Sequence, residues 1–268
     1  MDYFLYRNGS LYAEDVAVAD IAAAVGTPFY VYSTATLLRH FKLFDDALAD
    51  MDHLICYAMK AASNQAIIKT LAQAGAGMDV VSGGEYARAK AAGVSTDRIV
   101  FSGVGKTVDE ITTALKGGIR QFNVESEPEM VVLNRVAGEM GVIAPITVRV
   151  NPDVDAKTHA KIATGMSENK FGIPISRARK VYETAGAMPH LDVIGIDVHI
   201  GSQLTDLAPF ELAYQKVAEL AEQLRFDGHD IRRLDLGGGL GIPYVQSNEA
   251  PPLPADYGKL IERTVGHL

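Results

Sequence analysis

Lys60 closes the run HLICYAMK, where an apolar stretch that reads as a strand gives way to a loop. A primary amine partly withdrawn from water loses some preference for its ammonium form, and the neutral amine can attack an aldehyde carbon. Read alone, a lysine at a strand end is more often an ordinary surface residue. A second candidate is LDLGGGLGIPY at 234–244, which sets Gly237, Gly238 and Gly239 directly after a strand. Consecutive glycines let several backbone N–H groups turn toward one anion with no Cβ in the way. The segment lacks the lysine of a P-loop and the spacing of a dinucleotide fingerprint, and a plain strand-to-helix turn explains it equally well.

Three further positions carry polar chemistry into apolar surroundings. VHIGSQ at 198–203 puts His199 at a strand terminus and Ser202 in a glycine-containing turn. An imidazole there can lie flat against an aromatic ring, and the hydroxyl can donate to a phosphate oxygen; a lone histidine after an apolar strand is more often structural. Arg149 in ITVRVNPD and Asp79 in GMDVV are charges inside apolar runs. A buried unpaired charge is very costly, so both are expected to form an internal ion pair or to order the lysine and a bound group. Cys56 reads as an inert buried thiol. No cysteine–histidine pair or carboxylate–histidine cluster has metal-ligand spacing, so no metal is expected.

The elements that position these residues alternate between short apolar runs and longer amphipathic stretches. Candidate strands are 54–58, 78–81, 99–102, 121–124, 146–150, 193–200 and 233–236; candidate helices are 64–73, 84–92, 108–116, 127–138, 176–186, 209–226 and 255–264. Strands apolar throughout fit a parallel sheet covered on both faces, and repeated βα units fit a barrel or a doubly wound sheet. Thr107 with Glu110 spells a capping box, and Pro128 falls in a first helical turn. Residues 27–33, TPFYVYS, read as extended, followed by a helix near 34–49. The connection 151–175 is long enough to suggest function. About seven barrel strands are found where a closed barrel needs eight.

A hydrophobic content of 48% and charged content of 22% over 268 residues fit a folded chain with an ordinary core. The formal charge of −8 argues against nucleic-acid and acidic-membrane partners. A single cysteine permits no intrachain disulfide, and no signal-peptide or membrane-spanning pattern is read, so a cytoplasmic protein is expected.

YAMKAASN at 57–64, FSGVGKT at 101–107, HIGSQL at 199–204 and DLGGGLGIPY at 235–244 together resemble the alanine-racemase-like barrel decarboxylases that use pyridoxal 5′-phosphate (PLP). TPFYVYS and TGMSENKFGIP at 164–174 add to the match, and FSGVGKT and HIGSQL favour the diaminopimelate branch. The resemblance spans nearly the whole chain. It implies an α/β protein, an incomplete (β/α)8 TIM-type barrel of fold-type III, with PLP held as a Schiff base on Lys60. His199 would stack on the pyridine ring, Ser202 and Gly237, Gly238 and Gly239 would hold the phosphate, and Asp79 and Arg149 would lie near the lysine and ring. Lys106, His159 and Lys170 match motif positions without a definite role. The implied reaction converts meso-2,6-diaminopimelate to L-lysine and CO2, in a family that forms homodimers.

The family's Glu-Pro-Gly-Arg motif and its cysteine-bearing C-terminal β-domain have no match here. The resemblance therefore implies a chain truncated before the eighth strand and inactive, or nearly so, by itself. Residues 1–34 would pair with the absent β-domain, and 35–268 would form the barrel. A non-catalytic PLP-binding barrel, another basic amino-acid decarboxylase and a Schiff-base aldolase remain as alternatives.

Overall fold

A computed structural model of the chain describes residues 3–155, 171–243 and 251–268. It begins with an antiparallel sheet of β1 (Phe4–Arg7), β2 (Ser10–Ala13) and β3 (Val16–Ala17), then helices α1 (Val18–Val25) and α2 (Thr34–Asp46). Asn8 and Gly9, with φ of 50° and 80°, make the two-residue turn between Arg7 and Ser10. Positive φ at both centres gives the turn the twist that antiparallel strands need. The TPFYVYS run forms no strand. Its Tyr30 is 91% exposed.

From there strands and helices alternate. The strands are β4 (Cys56–Ala58), β5 (Gly77–Val80), β6 (Ile99–Phe101), β7 (Gln121–Val124), β8 (Ala144–Asn151), β9 (Ile173–Pro174), β10 (Leu191–Val198) and β11 (Arg233–Asp235). The helices are α3 (Gln65–Gln73), α4 (Gly83–Ala91), α5 (Val108–Gly117), α6 (Glu127–Glu139), α7 (Ile175–Gly186), α8 (Ala208–Phe226) and α9 (Pro254–Val265). Seven strands lie side by side in the order β4-β5-β6-β7-β8-β10-β11, all parallel; the two-residue β9 pairs with β8 off that path. The sheet curls strongly: Asn123 on β7 reaches Asp235 on β11, three strands away in the order, at 2.9 Å. The fold is an incomplete TIM-type barrel. No helix among the described residues is long and apolar enough to cross a membrane.

The strand ends are tied down by local capping. Ser82 and Ser126 accept the backbone N–H groups of Glu85 and Glu129, while those glutamates reach back to the N–H groups of Val81 and Glu125 at 2.8 and 3.0 Å. The Thr107–Glu110 capping box forms, and Glu110 also accepts from Gly83 at 2.7 Å, joining α5 to the start of α4. Each such cap is worth ~1 kcal/mol and fixes where a strand stops and its loop begins.

The strands are not apolar throughout. Gln121 and Asn123 alternate with Phe122 and Val124, and all four are buried. Phe122 stacks on Phe101 at 5.9 Å on the helix-facing side, while Gln121 and Asn123 turn into the barrel beside Thr147, Asp197 and Asp235. A barrel interior has no helix to pack against, so polar side chains can fill it where they satisfy one another.

Candidate active site

Lys60 lies in a single 3-10 turn, Met59–Ala61, immediately after β4. It was expected partly buried, but the side chain is exposed, because β4 is the edge of the open sheet. Among the described residues it makes no hydrogen bond or ion pair. Its charge is felt by Asp79 on the neighbouring strand and by His199 beyond β10, and it lowers the pKa of both.

Asp79 sits opposite Ala58 in the β4–β5 register and points into the barrel. Burial pushes its carboxyl up to about 7, against the Ser102 hydroxyl that lowers it and with Asp235 adding to the rise. Its Oδ1 is buried without a hydrogen-bond partner. Asp79 and Arg149 do not pair with each other. Arg149 donates instead to Glu125 at 2.7 Å, stands 3.9 Å from Asp197 and lies over the Phe171 ring at 5.5 Å. Glu125 follows β7 at the same end of the sheet, closer to the guanidinium than Asp79 on β5 can come.

His199 follows β10. Burial drives its imidazole down to about 4, and the cations of Arg149 and Lys60 push the same way, so the ring is neutral at pH 7. It packs on the glycine turn: a Cβ on Gly237 would stand 2.8 Å from both His199 Cβ and Nδ1. Gly237, Gly238 and Gly239 have φ of +26°, +61° and +105°, so all three disfavour a side chain by conformation, and Gly237 and Gly239 exclude one by space as well. The Leu236 carbonyl just before it accepts the hydroxyls of Tyr214 on α8 and Tyr257 on α9 at 3.2 and 3.3 Å.

The loop after β10 is zipped to the glycine turn. Leu204 donates to the Gly239 carbonyl at 2.9 Å, Gly241 donates to Leu204 at 2.8 Å, and Ile242 donates to the Gln203 side chain at 3.1 Å. Gly239 rests against the carbonyl of Gly201, leaving no room for a Cβ. Ser202 is exposed on this shared loop. Lys60, Asp79, His199, Ser202 and the glycines thus gather at the C-terminal ends of the parallel strands, where barrel sites are built.

Lys106 plays a different part. Its side chain is 2% exposed and donates to the carbonyls of Gly103 and Asn123 at 2.7 and 2.9 Å and to Glu129 at 2.6 Å. It locks the loop after β6 to the end of β7. His159 and Lys170 lie outside the described residues. Burial pushes the Cys56 thiol up, consistent with an inert side chain. Sequence reasoning missed Asn123, Glu125, Asp197 and Asp235; the alternation in QFNV and the isolated charges in IGIDV and RRLDL were the available signals.

A family model described as "Pyridoxal-dependent decarboxylase, pyridoxal binding domain" matches residues 34–267. The diaminopimelate decarboxylase of Vibrio cholerae is 55% identical over all of this chain and 64% of its own length. That of Haemophilus influenzae is 50% identical over 97% of this chain and 62% of its own. The crystal structure of diaminopimelate decarboxylase from Helicobacter pylori complexed with L-lysine superposes with a TM-score of 0.90 at 41% identity, over 94% of this chain and 63% of that one. The M. jannaschii enzyme, also in complex with L-lysine, gives 0.92 at 36% identity, over 98% and 62%. The chain spans less than two thirds of the length of each of these relatives.

Proposed function

Because this chain belongs to the pyridoxal-dependent decarboxylases, we propose that it is the cofactor-binding part of a diaminopimelate decarboxylase, which converts meso-2,6-diaminopimelate to L-lysine and CO2. The observation that carries this reading is the convergence of Lys60, His199 and the 237–239 glycine turn at one end of one sheet. Relatives of that name at 50–55% identity, and solved ones complexed with L-lysine, point to this substrate over other basic amino acids.

The residues present fit PLP. The Gly239 N–H in the turn and the hydroxyl of Ser202 offer neutral donors to a phosphate, and a buried Asp79 carboxyl with one oxygen unpartnered feels the Lys60 charge. Bound there, the cofactor supplies a conjugated sink for the electron pair released when CO2 departs. Lys60 would hold the aldehyde carbon through its amine. His199, neutral at pH 7, would offer an uncharged imidazole face to the ring. Arg149, fixed by Glu125 and Asp197, would contribute a positive charge held in place by its own partners.

The reading extends to a cytoplasmic setting and a homodimer. It also extends to the domain division, with residues 1–34 packing against a C-terminal β-domain of the whole protein. The exposure of Tyr6, Tyr30 and Tyr32, at 76%, 91% and 52%, supports that contact. The sequence holds no Glu-Pro-Gly-Arg motif to keep a pyridinium nitrogen protonated, so turnover by these 268 residues alone is expected to be slow or nil.

Borohydride reduction of the chain with PLP, followed by peptide mapping, tests the cofactor reading: label is expected on Lys60, and label absent or spread over surface lysines overturns it. CO2 release from meso-diaminopimelate, measured with and without the C-terminal part of a relative supplied in trans, tests the activity. No release in either case, or equal release from L-ornithine, overturns the substrate assignment.

A further inference from the structure

Asn123 is the hub of the polar interior. Its Oδ1 accepts from Thr147 Oγ1 at 2.7 Å and from Gln121 Nε2 at 2.9 Å. Its Nδ2 donates to Ser102 Oγ at 3.0 Å and to Asp235 Oδ2 at 2.9 Å. All four hydrogen-bonding positions of the amide are therefore filled, and a flipped amide would set its oxygen against the Asp235 carboxylate. The two donor bonds lead in different directions. Ser102, accepting from Asn123, has its hydroxyl proton free for the Asp79 carboxyl that Lys60 faces. Asp235, accepting from Asn123 and from Gln121 at 3.3 Å, is also held by the backbone N–H of Gly237, the first residue of the glycine turn.

We propose that Asn123 is a positioning residue of the cofactor site, its amide tying the carboxyl group that faces Lys60 to the strand that carries the glycine turn. The inference rests on the PLP reading above. In a water-poor interior, donors arranged head to tail polarise one another, so removing the hub loosens both ends at once. Asn123 touches neither the lysine nor the glycines. Its effect runs through Ser102 and Asp235.

The direction of the effect follows from the charges around Asp79. Lys60 and Cys56 face it from the β4 side, Glu85 from α4, Arg149 from β8, Asp197 from β10 and Asp235 from β11; His199 also feels Lys60. Without the Asn123 amide, Ser102 loses its orientation and Asp235 loses a donor. Both carboxyls then hold their protons to higher pH, so the pH at which an anion forms beside Lys60 rises, and the pH profile of trapping rises with it.

The test is PLP affinity, together with the pH midpoint of borohydride-trapped PLP on Lys60, for wild type, Asn123→Ala and Asn134→Ala. Asn134 is a structural control on α6, its side chain accepting the His190 N–H at 3.0 Å just before β10, at the end of the sheet opposite the glycine turn. Asn123→Ala is expected to bind PLP ~10-fold more weakly and to trap it with a midpoint higher by ~0.5 pH unit or more. Asn134→Ala is expected to lower the melting temperature and leave both values alone. A folded Asn123→Ala with wild-type affinity and midpoint overturns the proposal. Should that variant not fold, Thr147→Val removes one donor to Asn123 at nearly constant volume; it is expected to shift both values in the same direction by ~3-fold or less, and wild-type values overturn the proposal. Absence of Lys60 trapping in the wild type itself overturns the PLP reading, and this inference with it.

Discussion

Two lysines stand in loops at the same end of the barrel, one after β4 and one after β6, and the fold treats them in opposite ways. Lys106 is buried and donates to two carbonyls and a carboxylate, which uses all three of its N–H groups. Lys60 is exposed and has no hydrogen-bond acceptor among the described residues. Both belong to motifs that resemble the same family, FSGVGKT and YAMKAASN. What separates a lysine that holds a structure from one that can do chemistry is the number of acceptors already aimed at it. The same division runs through the acids: Glu129 is committed to Lys106 and the Glu125 N–H, whereas Asp79 keeps one oxygen unmatched.

Exchanging the two lysines' fates gives the largest expected effects. Lys60→Ala is expected to reduce borohydride-trapped PLP to background while leaving urea stability nearly unchanged, since an exposed side chain without partners is removed. Lys106→Met is expected to do the reverse. It leaves the Glu129 carboxylate buried with no cation and should cost ~3–5 kcal/mol in urea unfolding, with Lys60 still trapped in the folded fraction. Loss of trapping in both variants, with stability intact in both, would break the comparison.

The glycine turn lies between these extremes, being both structural and open to a ligand. Gly239→Ala demands a side chain at φ +105° and against the Gly201 carbonyl. A loss of ~2–4 kcal/mol together with weaker PLP binding is expected, because the clash pushes apart the two zipped loops. Stability measured by urea melts and affinity by absorbance titration should fall together. Affinity lost at unchanged stability would mean that the turn is not held by the Gly201 contact.

Asp79 tests the unmatched acid. In the fold it binds its proton more tightly than in the unfolded chain, where the pKa is near the ordinary ~3.9. Its ionisation therefore subtracts stability as pH rises from ~4 through about 7. Asp79→Asn removes that dependence. The variant should match the wild type near pH 4–5 and exceed it by ~1–3 kcal/mol at pH 8, while its Lys60 trapping falls. Urea unfolding at the two pH values checks it; a variant less stable at pH 8 than at pH 5, relative to wild type, would show that Asp79 is a committed group after all.

This division explains what the sequence disclosed. The seven barrel strands and the Thr107–Glu110 cap were legible because each rests on local pattern: an apolar run, a hydroxyl and a carboxylate three residues apart. The first hairpin was not read from the sequence, although Arg7-Asn8-Gly9-Ser10 carries an Asn-Gly pair; its strands are short and their polar, charged surroundings give no apolar run. The position of the glycine turn and His199 followed from strand ends. The partners of Arg149 did not. Glu125, Asp197 and Asp79 are all acids near strand ends, and only the curl of the sheet decides which of them the guanidinium meets. The commitment of Lys106 was hidden for the same reason, since its acceptors come from its own loop, from β7 and from α6.

Ser202 carries the smallest expected effect and the sharpest limit on the comparison. It is exposed on a loop whose shape is set by its neighbours: Leu204 donates to the Gly239 carbonyl and accepts from the Gly241 N–H, and Gln203 clasps Ile242. Its hydroxyl is therefore a leftover donor of the same kind as the Lys60 amine, attached to a rigid support. Ser202→Ala should leave the melting temperature within ~1 °C, because nothing buried is lost. It should weaken PLP by ~3–10-fold, the worth of one hydrogen bond to an anion, and leave pyridoxal without its phosphate bound as before. Titrating both ligands against both proteins separates the terms. If PLP and pyridoxal lose affinity equally, the hydroxyl acts on the loop and not on the phosphate, and Ser202 joins Lys106 among the groups the fold has already used.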